Sequence, residues 1–463
     1  MATETRLGLR NIVAAFGLST TLLLVSSTLA CALGTPAVNA DSRIQQLIAA
    51  ISEPRLRQLD ATLVSFGTRE TLSAASPTRG ITAAGQWIFD EMTRSSPKLQ
   101  VSFDTYSVAP QGRINRPIEV RNIVAILPGR TERRVYVSGH YDSVNIGSQI
   151  DMNTTAGATS PQNRPDFNHD VDAPGANDDG SGTVLTMELA RVFAESGITF
   201  DATLVFVCWA GEEQGLIGSS AHAERLARER VNVEALFNND IVGNSRGGND
   251  VVDAASVKVY ALGPEDSMSR SLARYIARSA AVYVPSHRVR LMAMEDRFRR
   301  GSDHSSFTRR GFPAVVFRES NENFARQHSA ADTLDGVDFA YLGQNARVNA
   351  AGAASLALAP PAPDVAGPNG VPRLARGASG YDAELQWKAS PGAIAYRVYW
   401  RSGWSLDWEH TQTVGNVTRF VLPNVSIDGY VFGVAALGAD GHESLIRAYV
   451  AAPRVVDDVK LAK

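Results

Sequence analysis

Residues 203–215 read TLVFVCWAGEEQG: strand-forming side chains up to Trp209, then Gly211 and the acidic pair Glu212 and Glu213. The apolar run is too short for a helix and lacks polar alternation, so it fits a strand covered on both faces. Runs of the same kind stand at 122–127, 134–138, 235–239, 257–261 and 313–318. Helical spacing separates most of them, at 181–196, 217–230 and 267–279. Two helical stretches precede them, 42–66 with a break near Pro54, and 85–92. Strands alternating with helices predict an α/β fold, a mostly parallel central sheet flanked by helices.

Chemistry-bearing residues cluster at the ends of these strands. His140-Tyr141-Asp142 follows 134–138, Glu212 and Glu213 follow 203–209, and Asp240 closes 235–239. In open α/β sheets ligands gather at the carboxyl ends of strands. Asp178 lies in a glycine-rich loop before a helix, where Gly180 and Gly182 permit close backbone approach and Ser181 could cap. His328 stands in Gln327-His328-Ser329. Two imidazoles (His140, His328) and three carboxylates (Asp178, Glu213, Asp240) make a nitrogen and oxygen ligand set for two metal ions. That set suits Zn²⁺, with Mn²⁺ or Co²⁺ as substitutes. Glu212 is then a spare carboxylate, the general base that metal-assisted hydrolysis requires. Singly, each motif is common in structural roles. Their order and their delivery to one rim by three separate strand ends are not.

With those residues in view, 41–358 resembles the co-catalytic zinc exopeptidases of clan MH, the group of bacterial leucyl aminopeptidases and glutamate carboxypeptidase. The resemblance implies that His140 and Asp240 hold one zinc, Glu213 and His328 the other, and that Asp178 bridges both. It implies Glu212 as general base and Asp142 as the carboxylate that orients His140. Three ionised carboxylates leave two dications with one positive charge in excess, which a bridging hydroxide would neutralise. Gly301-Ser302-Asp303-His304 resembles a segment shaping the substrate side, so Asp303 and His304 are expected in or behind the pocket. Where some members carry an oxyanion-binding tyrosine, this chain has Gln327, which leaves that donor unidentified.

The expected activity is zinc-dependent removal of N-terminal, apolar residues from peptides. Alternatives are a carboxypeptidase or dipeptidase of the same clan, a one-zinc glutaminyl cyclase, and a non-catalytic binding scaffold; the last should have lost ligands, and none is missing. Arg297, Arg299 and Arg300 could clamp a substrate carboxylate, but a solvated loop cluster is the preferred reading. Asp166, Asn168, Asp170 and Asp172 alternate as at the start of a calcium loop, yet Val171 replaces the needed glycine and Asn177 the closing glutamate. A solvated acidic loop fits better.

With a formal charge of -3 and 20% charged residues, the 463-residue chain has no basic face for nucleic acid. Arg6 and Arg10 precede an uncharged stretch, 11–40, ending in Val38-Asn39-Ala40 before Asp41. Residues 1–40 therefore read as a cleaved signal peptide, preferred over an anchor because Pro36 interrupts the span, and Cys31 lacks a good lipoprotein context. The expected location is periplasmic or extracellular, with no stable membrane association after cleavage. Without the leader Cys208 has no cysteine partner, so it is expected to be a buried small hydrophobe. A Pro/Gly-rich linker is expected at 359–368, followed at 369–455 by period-two patterning. There Trp387, 396–401, Leu422 and Gly429-Tyr430 resemble a fibronectin type III β-sandwich, with Tyr430 at the tyrosine corner. Such a module could contact polysaccharide or cell wall.

Overall fold

The break near Pro54 separates two helices, α1 (Ser42–Ala49) and α2 (Glu53–Ser65). Proline sits in the first turn of α2, where its missing N–H costs no helical bond, and Ser52 caps that turn through Arg55 N (3.3 Å). The computed structural model describes residues 40–146 and 167–450. The leader 1–39, Asp166 and residues 451–455 lie outside the described residues. Among those described, no helix is long and apolar enough to cross a membrane.

Eight strands build one sheet: β1 (Gln100–Val108), β2 (Ile118–Leu127), β3 (Thr131–His140), β4 (Ala202–Trp209), β5 (Val233–Asn239), β6 (Ser256–Ala261), β7 (Arg288–Met292) and β8 (Ala314–Glu319). Their order is β1-β2-β4-β3-β5-β8-β6-β7, and the central β4-β3-β5-β8 are parallel. Flanking it are α3 (Gly80–Ser95), α4 (Ser181–Glu195), α5 (Ile217–Glu229), α6 (Met268–Tyr283), the short α7 (His304–Thr308) and α8 (Phe339–Leu358). Alternate residues of β4 face opposite layers: Leu204, Phe206 and Cys208 join the main core, whereas Val205, Val207 and Trp209 join a second cluster with Tyr136, Leu226 and Phe307. That two-sided burial is why the strand reads as continuously apolar. Cys208 is fully buried.

Sequence reading left β1, β7 and α8 unassigned. β1 mixes polar and apolar residues at the sheet edge, with only two of its residues buried. α8 is buried almost throughout and rich in alanine and glycine, so it shows no amphipathic stripe.

The chain runs from β3 through α4 to β4, then through α5 to β5 on the other side of β3. This reversal opens a crevice beyond the carboxyl ends of β3, β4 and β5. α4 enters it in close contact with the strands: a Cβ on Gly139 would stand 2.4 Å from the Gly182 carbonyl carbon, and one on Gly182 would stand 2.3 Å from Asn239 O.

After α8 come two antiparallel sheets. One orders β13 (Arg419–Leu422), β10 (Ala383–Gln386) and β9 (Leu374–Arg376). The other orders β12 (His410–Val414), β11 (Ala395–Ser402), β14 (Tyr430–Leu437) and β15 (Arg447–Ala448). Leu385, Trp387, Tyr396, Val398, Phe432 and Val434 fill the space between them. The tyrosine-corner expectation does not hold: Tyr430 is exposed, and among the described residues its hydroxyl makes no hydrogen bond. The Pro/Gly-rich stretch is packed, with Ala359 O accepting from Arg133 Nη2 (2.5 Å) and Val365 in the sandwich core.

Candidate metal centre

β3 ends on His140, the turn after β4 carries Glu212 and Glu213, and Asp240 follows β5. Asp178 comes from the tight turn Ala176–Gly180 ahead of α4, and His328 from the segment after β8. These residues form two groups. Donor atoms of His140, Glu212 and Asp240 all lie within 4.8 Å of one another, as do those of Asp178, Glu213 and His328. Asp178 joins the groups: its Oδ1 is 3.4 Å from His140 Nε2 and its Oδ2 is 3.1 Å from His328 Nε2. Asp240 Oδ2 lies 3.8 Å from His140 Nε2, and Glu213 Oε1 lies 3.4 Å from His328 Nε2.

The residues present fit a pair of metal ions. Two donors each about 2.0–2.2 Å from one tetrahedral zinc stand roughly 3.3–3.6 Å apart, and the four separations, 3.1 to 3.8 Å, are centred on that range. Asp178 Oδ2 and Glu213 Oε1 are buried and accept no hydrogen bond from the described residues, a costly state unless a cation meets them. Electrostatics agree. Burial pushes Glu213 up to about 7 and Glu212 well above the usual carboxylate range. Burial opposes charge on His328 and His140 too, yet neighbouring carboxylates hold His328 up to about 9 and raise His140 strongly. Two glutamates drawn toward neutrality and two imidazoles drawn toward cations mark a cluster short of positive charge.

Asp142 acts differently from the expectation. His140 Nδ1 meets the Asp142 main-chain carbonyl at 3.1 Å, while the carboxylate is 3.6 Å away. That carboxylate instead accepts from the backbone N–H groups of Glu212 and Glu213, both at 3.1 Å, and from Thr71 Oγ1 at 3.2 Å. It fixes the loop that presents the two glutamates. Ser181 does not cap α4: its hydroxyl donates to Asn177 O (2.7 Å) and accepts from Val242 N (3.0 Å). Asp303 and His304 are fully buried, so neither has an exposed atom with which to touch substrate. Burial pushes Asp303 up to about 7, and His304 Nε2 lies 2.9 Å from Glu295 O. The member of that segment that touches a ligand is Ser302, whose hydroxyl donates to Asp240 Oδ2 (2.5 Å).

Four supporting residues escaped the sequence reading. Asp179 accepts from the N–H groups of His140 (2.9 Å), Gly182 (2.9 Å) and Ile241 (3.2 Å), tying β3, α4 and the β5 exit together. Its place next to Asp178 in the glycine-rich loop was the available signal. Asp332 accepts from Asn177 N (3.0 Å) and Asp178 N (2.9 Å). Arg318, fully buried at the end of β8, pairs with Asp240 and with Asp296 (2.8 Å). Against burial, that guanidinium holds Asp240 well below the usual carboxylate range. Nothing in sequence spacing announces Asp332, Arg318 or Asp296.

The acidic stretch resolves as latches on the loop before α3. Asp170 Oδ1 accepts from Ala74 N (2.7 Å), and Asp172 pairs with Arg79 (2.6 Å). Arg297 is taken up by Asp296 (3.3 Å) and Glu322.

Comparison with known proteins places this geometry. A probable zinc metalloprotease of Pyricularia oryzae is 36% identical over 448 residues, covering 87% of this chain and 84% of its own. Among solved structures, the LapA aminopeptidase of Legionella pneumophila aligns with a TM-score of 0.52 at 20% identity, over 69% of this chain and 76% of that one. Glutaminyl cyclase of Porphyromonas gingivalis aligns with a TM-score of 0.50 at 17% identity, over 65% and 97%. At such identities the two structures share the fold alone. The Peptidase family M28 model matches residues 122–353, the span that holds His140, Asp142, Asp178, Glu212, Glu213, Asp240 and His328; with that match and the metal-type cluster inside it, the chain belongs to family M28 and is a hydrolase of peptide bonds.

Proposed function

We propose that this chain is an exported aminopeptidase that holds two zinc ions and releases N-terminal, apolar residues from peptides. The observation that carries the reading is the pair of three-residue groups joined by the two oxygens of Asp178, with Glu212 in the first group. His140 and Asp240 would hold one ion, Glu213 and His328 the other, and Asp178 both. Zinc bound there supplies Lewis acidity toward the scissile carbonyl and lowers the pKa of water. Glu212 is half-buried, and its carboxylate receives no hydrogen bond from the described residues. It is free to take the proton of the attacking water and pass it to the leaving amine. Asp142 keeps Glu212 and Glu213 in register, Asp179 does the same for His140, and Asp332 for Asp178.

We read 41–358 as the peptidase domain, 359–368 as its connection, and 369–455 as a fibronectin type III-like module. The three-plus-four strand arrangement supports the last reading. Export rests on the leader pattern in 1–40. The test is amino acid release by zinc-loaded protein from Asp41 onward, on a leucyl peptide and its N-acetylated twin. Cleavage of the free peptide alone, at its first bond, is expected. Release from the C-terminus of the blocked twin would make the enzyme a carboxypeptidase.

A further inference from the structure

The two halves of the centre are flanked differently. Beside His140, Glu212 and Asp240 stands Arg318, its charge already matched by Asp240 and Asp296. Beside Asp178, Glu213 and His328 stand two guanidinium groups with no carboxylate partner among the described residues, and they come from unrelated loops. Arg113, in the β1–β2 connection, donates from Nη1 to Glu213 O (2.6 Å) and is otherwise exposed. Arg300 is half-buried and donates from Nη1 to Gln327 Oε1 (3.3 Å), one residue from His328.

The Arg300 position is built. Gln327 Nε2 donates to Glu322 Oε2 (2.9 Å), and Glu322 is held in turn by Arg297. The relay therefore engages Arg297 and leaves Arg300, next to a metal-type ligand, with donors that no described residue takes up. Among the described residues this half-buried guanidinium has no counter-ion, and its planar fork matches a carboxylate in two-point fashion.

We propose that Arg113 and Arg300 receive a substrate carboxylate lying one or two residues beyond the scissile bond, so that the enzyme's substrates are short peptides with an anionic leaving portion. This rests on the aminopeptidase reading. A residue spans about 3.5 Å of extended chain, so the C-terminal carboxylate of a di- or tripeptide and the side-chain carboxylate of an acidic second residue both present that chemistry.

Three substrates separate the cases: Leu-Ala, Leu-Ala amide and Leu-Glu amide, compared by kcat/KM on the zinc-loaded full chain. A preference of about tenfold or more for Leu-Ala over its amide is expected from one charge-assisted contact and identifies the C-terminal carboxylate. The same preference for Leu-Glu amide over Leu-Ala amide identifies the side chain. Arg300→Ala and Arg113→Ala should each bring the favoured ratio toward one, chiefly through KM, and Arg300→Lys should restore part of it. Equal kcat/KM for all three substrates with wild-type protein overturns the carboxylate contact while leaving the aminopeptidase reading intact. An unchanged ratio in both alanine variants overturns the assignment to these arginines. No cleavage of any of the three removes the aminopeptidase reading and this one with it.

Discussion

Glu212 and Glu213 are adjacent in sequence yet face different tasks. Glu213 lies in a group with Asp178 and His328, whereas Glu212 lies with His140 and Asp240, and its carboxylate receives no hydrogen bond from the described residues. Glu212→Gln keeps the shape and removes the base. It is expected to lower kcat by about 10²–10⁴-fold while zinc content, measured by atomic emission, stays at the wild-type level. Loss of one zinc in this variant would make Glu212 a ligand instead. At this scale the ligand-type residues were legible because metal chemistry restricts side-chain types so tightly. The partners that hold them were not. Asp142 was read as the residue orienting His140, but the histidine uses its main-chain carbonyl, and whether an aspartate offers its carbonyl or its carboxylate is decided by a turn that sequence does not encode legibly.

Strands and helices bring those residues together through tight contacts and buried charge. β8 contributes no ligand, yet its Arg318 braces the exit of β5 through Asp240 and the loop before α7 through Asp296. Burial works against ionised Asp296, but Arg318 and Arg297 hold it down at about 2. A carboxylate lowered from its ordinary 3.8 stabilises the fold fully above that value and loses the contribution as pH falls toward 2. Asp296→Asn should therefore cost about 3 kcal/mol at pH 7. The penalty should shrink by roughly 2 kcal/mol between pH 5 and pH 2. Urea unfolding of zinc-free protein across that range measures it, and a pH-independent penalty would deny the charge its role. The β-strands of the parallel centre were readable because both faces are buried. β1, β7 and α8 were not, since edge strands mix polarity and an alanine-rich helix buried all round has no period to detect.

The whole described chain behaves as one body, although its sequence suggests two modules on a linker. Leu445, from the turn before β15, is buried in the core of the larger region. Arg401 pairs with Asp266 (2.7 Å), Ser271 Oγ donates to Ile446 O (2.8 Å), and Asp41 and Arg43 reach His442 (2.9 Å) and Asp440 (2.7 Å). Leu445→Ala should cost about 2–5 kcal/mol and shift a single calorimetric transition. Two transitions, with only the smaller one moved, would mean that the modules unfold independently. Composition marks where a chain changes character, but it carries no record of docking, which depends on contacts hundreds of residues apart. The central claim is that this one body assembles a centre for two zinc ions around Asp178, and its most direct test is to titrate zinc into metal-free protein while following leucyl peptide turnover. Turnover that saturates at two equivalents per chain is the expected result; full turnover at one equivalent, with no further gain at the second, would contradict it.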